Sequence, residues 1–266
     1  MDDSIENVNL SSPEIKTKKF NKKSLFLILN YFVTPILISV VLFLALNNQT
    51  IFENLMNLPS VSKFFQDNPY LLKDEEAFKN FIISVVSSIA ILITFIIGVF
   101  LSRNRSDSIS IRKSERTLIK LLLFGVGLGI FMILWNIIVS YSYQLLGLNF
   151  RSENTQGIFK SLQYNKILIV NMLLSAPIGE EIAFKYGIFT FFHEIFQDKG
   201  IFLKVIIPSF ISAFIFALIH DGLYLVPLYI VPSFIGCLIY KKTRSLLPCV
   251  FGHFLNNLIA LIIMFW

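Results

Sequence analysis

The sequence contains few of the residues that cross-link small secreted domains through disulfides or bind structural metals. It contains two cysteines and three histidines among 266 residues. Both cysteines, Cys237 and Cys249, lie within apolar blocks, so a disulfide scaffold and a CxxC metal site are excluded. Charged residues are also scarce, at 15% of the chain, which excludes an ordinary soluble domain.

Apolar residues dominate what remains. They make up 55% of the chain, including 28 phenylalanines, and the mean hydropathy is +0.70. They form blocks of about twenty residues, the length of a membrane-spanning helix, rather than the short alternating strands of an outer-membrane barrel. The predicted fold class is therefore all-α, a polytopic transmembrane helical bundle with about seven spans. The predicted spans are residues 24–46, 78–101, 118–146, 167–192, 202–219, 223–240 and 246–266.

Charge placement predicts the domain organisation and the orientation. Residues 1–23 predict a disordered, basic, cytoplasmic N-terminal tail, and residues 24–147 the N-terminal transmembrane helices. Most Lys and Arg residues outside the spans fall on the side of the N-terminus, which the positive-inside rule places in the cytoplasm. This predicts a multi-pass protein of the cell membrane. The net charge of +6 therefore reflects topology, and no nucleic-acid partner is expected.

Three smaller features also carry predictions. The glycines of the third block, Gly125, Gly127 and Gly129, predict close helix packing rather than a nucleotide-binding loop. Residues 55–72 hold scattered apolar side chains and are expected to lie flat on the outer surface. His193, at the end of the fourth block, is predicted to be a surface residue.

Two adjacent glutamates, Glu180 and Glu181, interrupt the fourth apolar block. Each charge at the centre of a membrane helix opposes insertion by about 2.5–3.5 kcal/mol, so an intramembrane cluster points to a functional site. Lys185 lies four residues after Glu181, and a helix would place the two on one face as an ion pair. The spacing favours Glu180 as a general base and the Glu181–Lys185 pair as its orienting support. The alternative is that all three line a water-filled cavity or bind a loop.

Two later blocks carry polar pairs at the same helical spacing: Phe216 with His220, and His253 with Asn257. Either pair could instead serve as an interhelical hydrogen bond. Counting along straight helices places His220 near the outer side and His253 nearer the inner side. The pairs can therefore meet only if helices are tilted, broken at prolines, or bounded differently.

Glu-Glu-x-x-x-basic, Phe-x-x-x-His and His-x-x-x-Asn occur in that order over roughly residues 165–262. This combination resembles the CPBP family of CAAX-processing and bacteriocin-processing intramembrane proteases, also called the Abi family. The resemblance implies that Glu180 and His220 activate the attacking water, and that His253 and Asn257 stabilise the oxyanion. By the same resemblance, the predicted catalytic residues are Glu180, Glu181, His220, His253 and Asn257, with Lys185 and Phe216 orienting them.

One residue departs from the family pattern. The first family motif ends in Arg, whereas this chain has Lys185, which keeps the charge but lacks the planar fork that grips a carboxylate in two places. A catalytically weak or inactive membrane scaffold therefore stays open as an alternative. A transporter that uses the glutamate pair as a proton relay is a further one.

The resemblance predicts an intramembrane endopeptidase whose CPBP-like catalytic core is residues 165–262. It would hydrolyse a peptide bond in a peptide precursor or a membrane-associated protein, in bacteriocin maturation or self-immunity. The expected partners are that substrate and the lipid bilayer. The expected cofactor is either none or a divalent metal such as zinc, because Glu180, His220 and His253 also form a zinc-type donor set.

Overall fold

The computed structural model describes residues 22–102, 116–166 and 168–265, and every regular element in these ranges is helical. The first part contains α1 (Lys22–Leu46), α2 (Gln49–Met56), α3 (Pro59–Asp67), α4 (Tyr70–Lys73), α5 (Glu75–Ser102), α6 (Leu118–Leu145) and α7 (Glu153–Tyr164). The second contains α8 (168–195), α9 (Phe202–Asp221), α10 (Val226–Thr243) and α11 (Leu247–Phe265). The all-α prediction is confirmed. Nearly all of the predicted N-terminal tail and the basic residues at 103–113 lie outside the described residues.

The long helices α1, α5, α6, α8, α9, α10 and α11 each overlap one predicted span. Five of them, α1, α5, α6, α9 and α11, are long and apolar enough to cross a membrane. The helices α8 and α10 are outside that group. The polytopic helical class is therefore confirmed, while the number of seven spans stays a prediction.

Helix α8 lies at the centre of the bundle and is not a uniform α-helix. Asn171–Ser175 and Ile182–Phe189 form wide π-helical turns on either side of the α-helical Ala176–Glu181. Such turns are rare in proteins, and many of those that do occur lie at functional sites. All residues of Ile182–Phe189 are buried, and its aromatic side chains pack against α1, α9 and α10. This packing fixes the position of the glutamates that precede it.

Helices α6 and α11 approach each other closely through glycines. A Cβ on Gly252 would lie 3.0 Å from the backbone oxygen of Gly125, and one on Gly129 would lie 3.1 Å from Cβ of Leu255. Glycine permits this because it has no side chain to separate the two backbones. Gly125 and Gly129 thus serve the predicted packing, whereas a Cβ on Gly127 would meet no atom within 4 Å.

The short helices depend on local capping rather than on hydropathy. Asn48 accepts a hydrogen bond from the backbone N–H of Ile51 at 3.1 Å and caps α2, and Ser152 accepts one from Thr155 at 3.0 Å and caps α7. Such caps satisfy backbone donors that a helix start leaves unpaired. Hydropathy indicated only a flat apolar segment at residues 55–72, where α3 and α4 lie, and it did not detect α7.

Candidate active site

Helices α8, α9 and α11 bring the acidic pair and two histidines together. Oε2 of Glu180 lies 3.6 Å from Nε2 of His220 and 3.8 Å from Nε2 of His253. The straight-helix count that placed the two histidines towards opposite sides is therefore wrong. Helices α8 and α9 contain π-helical turns, so a uniform rise per residue does not apply to them.

The other ring nitrogens show which atoms carry the imidazole protons. Nδ1 of His220 lies 2.7 Å from the backbone oxygen of Phe216, and Nδ1 of His253 lies 3.1 Å from Oε1 of Glu181. A carbonyl and a carboxylate can only accept, so both Nδ1 atoms donate. In the neutral rings both Nε2 atoms then turn a lone pair towards Glu180. Three hydrogen-bond acceptors therefore face one another: Oε2 of Glu180 and the Nε2 atoms of His220 and His253.

That convergence leaves a buried carboxylate oxygen without a donor. Among the described residues, Oε2 of Glu180 is buried and accepts no hydrogen bond. Buried polar atoms are almost always satisfied, and an exception points to a catalytic role, a water or an ion. A proton, a water molecule or a cation between Glu180, His220 and His253 would satisfy all three acceptors.

Lys185 holds the second carboxylate. Its Nζ lies 3.1 Å from Oε2 of Glu181, donates to Oγ of Ser233 at 3.2 Å, and lies 5.0 Å from the ring centroid of Phe216. Lys185 is 2% exposed and Glu181 is 4% exposed. The lysine thus reaches the carboxylate, and the ring of Phe216 adds a cation–π contact. The departure from the family arginine therefore gives less support to a non-catalytic scaffold than the sequence alone did.

Asn257 is held by a chain of amides. Its Nδ2 donates to the backbone oxygen of Met172 at 2.9 Å, and its Oδ1 accepts from Nδ2 of Asn256 at 3.4 Å. Asn136 of α6 donates to Oδ1 of Asn256 at 3.0 Å. An amide nitrogen has two N–H donors, so one donor of Asn257 is left beyond the bond to Met172. Neither Asn256, which neighbours Asn257 in the sequence, nor Asn136, which no pattern indicated, was predicted to belong to the site.

A cavity of about 490 Å³ surrounds these groups, within the range of roughly 300–1,000 Å³ typical of ligand pockets. All the predicted site residues line it: Glu180, Glu181, Lys185, Phe216, His220, His253 and Asn257. Helix α7 forms a further part of the lining. The sequence patterns therefore identified residues of three helices that share one cavity.

Asp221 ties α7 to α9 next to the site. Its Oδ1 accepts from the backbone N–H of Asn154 at 2.9 Å. Its Oδ2 lies 2.8 Å from the hydroxyl of Ser152 and also accepts from the hydroxyl of Tyr229. The ring of Tyr229 packs on that of His220, with centroids 4.8 Å apart. The sequence did not predict this cluster, and its one signal was an acidic residue directly after His220.

His193 is not the predicted surface residue, because it is only 4% exposed. Its Nε2 lies 2.8 Å from Nζ of Lys241, its Nδ1 bonds to the backbone oxygen of Lys204, and its ring stacks on Phe189. Burial lowers the pKa of His193 from its ordinary value, and the charges of Lys241 and Lys204 lower it further against the opposing effect of the carbonyl bond. The prediction failed because its partners come from α9 and α10.

A zinc site requires ligand atoms at about 2.0–2.2 Å from one metal position. Glu180, His220 and His253 have suitable donor atoms, but no group of three or more His, Cys, Asp or Glu in the described ranges has metal-holding geometry. Both oxygens of Glu181 are already engaged, by His253 and by Lys185. No metal site is therefore preformed in the described ranges, and the choice between no cofactor and a divalent metal stays a prediction.

The fold and the site thus define a polytopic helical membrane protein with a secluded glutamate–histidine centre. Residues 163–259 match the family described as Type II CAAX prenyl endopeptidase Rce1-like. The chain is also 28% identical over 181 residues to a Bacillus subtilis (strain 168) protein named "Putative membrane peptidase YdiL", which covers 67% of this chain and 70% of that relative. No solved structure matches the chain. These matches confirm the resemblance to the CPBP family of CAAX-type membrane proteases over residues 163–259.

Proposed function

We propose that this chain is an intramembrane endopeptidase that hydrolyses a peptide bond in a peptide precursor or a membrane-associated protein. The observation that carries the proposal is the convergence of Glu180 Oε2 with the Nε2 atoms of His220 and His253. A water molecule at that point would have acceptors for both of its hydrogens. The match of residues 163–259 to a family of CAAX prenyl endopeptidases supports the same reaction class.

In the proposed reaction, Glu180 acts as the general base. It takes one proton from the water while the water oxygen attacks the carbonyl carbon of the peptide. Nε2 of His220 accepts the second hydrogen and so orients the water, and the bond from Nδ1 to the oxygen of Phe216 fixes the ring. Glu180 then returns its proton to the leaving nitrogen as the C–N bond breaks. One water is consumed, and the carboxylate is regenerated.

The remaining groups stabilise the charge that develops on the carbonyl oxygen. The second N–H of Asn257 is one donor, and Nε2 of His253 is another when that ring carries both protons. Glu181 orients His253, and Lys185 orients Glu181. Removing one preorganised oxyanion donor lowers kcat by about 10²–10³ in hydrolases, so Asn257→Ala should cause a partial loss rather than a complete one.

Cleavage by the purified protein in proteoliposomes tests the proposal. Glu180→Ala and His220→Ala should each abolish cleavage, while both variants still insert and accumulate. His193→Ala is the matched control, because this buried histidine does not line the cavity. Wild-type cleavage by both active-site variants would overturn the enzymatic proposal. A retained cellular function in those variants, together with loss on loop substitution, would favour the scaffold.

The physiological part of the proposal is bacteriocin maturation or self-immunity at the cell membrane, with the N-terminus in the cytoplasm. A neighbouring gene for a double-glycine peptide or a peptide exporter would support that role. Reporter fusions to residues 1–21 test the orientation, since an external N-terminus would contradict it.

A further inference from the structure

Helix α7 supplies a wall of the cavity through residues that precede the segment matching the family, residues 163–259. Among its lining residues are Asn154, Gly157, Ile158 and Ser161. These positions are spaced i, i+3, i+4 and i+7, so they form one continuous face of the helix. One side of α7 therefore borders the space in which a substrate would lie.

The position of α7 depends on contacts at its two ends. It has 12 residues, too few to cross a bilayer. At its start, the carboxylate of Asp221 accepts from the backbone N–H of Asn154 and lies 2.8 Å from Ser152 Oγ. A negative charge at a helix N-terminus is favourable. At its end, Nδ2 of Asn165 donates to Oγ of Ser88 at 3.0 Å.

Gly157 lies in the middle of this helix, where glycine is less favourable than alanine because it loses more backbone freedom on folding. A Cβ at Gly157 would meet no atom within 4 Å. The fold therefore does not require a glycine at this position, in contrast to Gly125 and Gly252, whose Cβ atoms would lie about 3 Å from a neighbour. The space above Gly157 belongs to the cavity.

We propose that α7 is the wall that selects the substrate and that Gly157 is its specificity-determining residue. The inference rests on the proposed function. The open space at Gly157 receives a substrate side chain next to the scissile bond. The side chains of Asn154 and Ser161 offer hydrogen bonds beside it, which suits an extended, polar peptide segment rather than a lipid-embedded one. Asp221 is a positioning residue that holds α7 against this segment.

The test measures cleavage of a synthetic peptide library in which the residues around the scissile bond are varied. In proteoliposomes, Gly157→Leu should lose peptides with large side chains at one position, by about tenfold or more in kcat/KM. The loss should come mainly through KM, and peptides with small residues there should be retained. Gly157→Ala should be intermediate, and its Tm should equal or exceed that of the wild type.

Gly127→Leu is the matched control. Gly127 is also a helix-interior glycine whose Cβ would meet no atom within 4 Å, but it borders a groove between α6 and α10 instead of the cavity. An unchanged library profile in Gly157→Leu would overturn the inference while leaving the protease intact. If the wild type cleaves no peptide, the proposed function fails and this inference fails with it.

Asp221 has its own pair of variants. Asp221→Ala removes the carboxylate that holds the start of α7, so KM should rise and the library profile should broaden. Asp221→Asn keeps an acceptor for the N–H of Asn154 and should restore part of the selectivity. A fall in kcat with an unchanged profile in Asp221→Ala would contradict the positioning role.

Discussion

Lys185 lies 3.1 Å from Oε2 of Glu181, and both side chains are almost completely buried. The other oxygen of Glu181 lies 3.1 Å from Nδ1 of His253. The lysine thus acts on the histidine through the carboxylate. Removing the cation would leave a buried negative charge and release the group that orients His253.

Lys185→Met is therefore expected to destabilise the protein as well as impair cleavage. Breaking a buried ion pair by removing one partner costs about 3–5 kcal/mol, because the remaining charge is uncompensated. Unfolding in detergent measures this loss. Adding Glu181→Gln should recover part of the stability, and Lys185→Arg should keep it. If Lys185→Met is as stable as the wild type, the pair does not hold the site together.

Gly236→Ala is expected to disturb the same lysine from the opposite helix. The new Cβ would lie 3.1 Å from Cε and 3.7 Å from Nζ of Lys185. Because Lys185 is also held by Glu181 and Ser233, it cannot yield freely, and overpacking of this kind costs about 1–3 kcal/mol. Cleavage and Tm should both fall. Gly127→Ala is the control, and an equal effect in the two variants would contradict the explanation.

Chelation is expected to leave cleavage unchanged. The side chains of Glu180, His220 and His253 do not have metal-holding geometry, and the proposed reaction uses the carboxylate directly. Cleavage is measured after incubation of the purified protein with a strong zinc chelator and its removal by dialysis. A loss that added zinc reverses would show that these three residues rearrange to bind the metal.

The stability of the protein is expected to fall in mildly acidic solution because of His193, which lies beyond the predicted span 167–192. Its pKa is lowered in the folded state by burial and by the charges of Lys241 and Lys204, so the unfolded chain binds a proton first. The stabilisation is complete above the unfolded pKa of about 6.5 and is lost as the pH falls below it. His193→Gln should flatten this part of the Tm–pH curve, and an unchanged slope would refute the assignment.

Sequence periodicity and hydropathy predicted the long helices well, because a bilayer demands long apolar blocks whatever their partners. Periodicity and hydropathy did not predict the short helices. Helix α7 is mostly polar, and its start is held by Ser152 and by Asp221 from another part of the chain. Contacts of that kind are decided by tertiary structure.

The sequence predicted which polar residues lie together in one cavity but not their geometry. The i, i+4 spacings identified Lys185 beside Glu181 and Phe216 beside His220, since those contacts form within one helix. The distances between Glu180 and the two histidines depend on π-helical turns, which no pattern in the sequence indicated. The link from Asn136 to Asn256 depends on how α6 packs on α11, so a lone asparagine gave no signal.

The close approach of Gly125 to Gly252 has a consequence for dissecting the protein. The helix that carries His253 rests on α6, which precedes the matched family segment. A fragment that begins at residue 163 would lack α6, so it is not expected to fold on its own. Two co-expressed halves divided within residues 146–151 should instead recover cleavage by complementation.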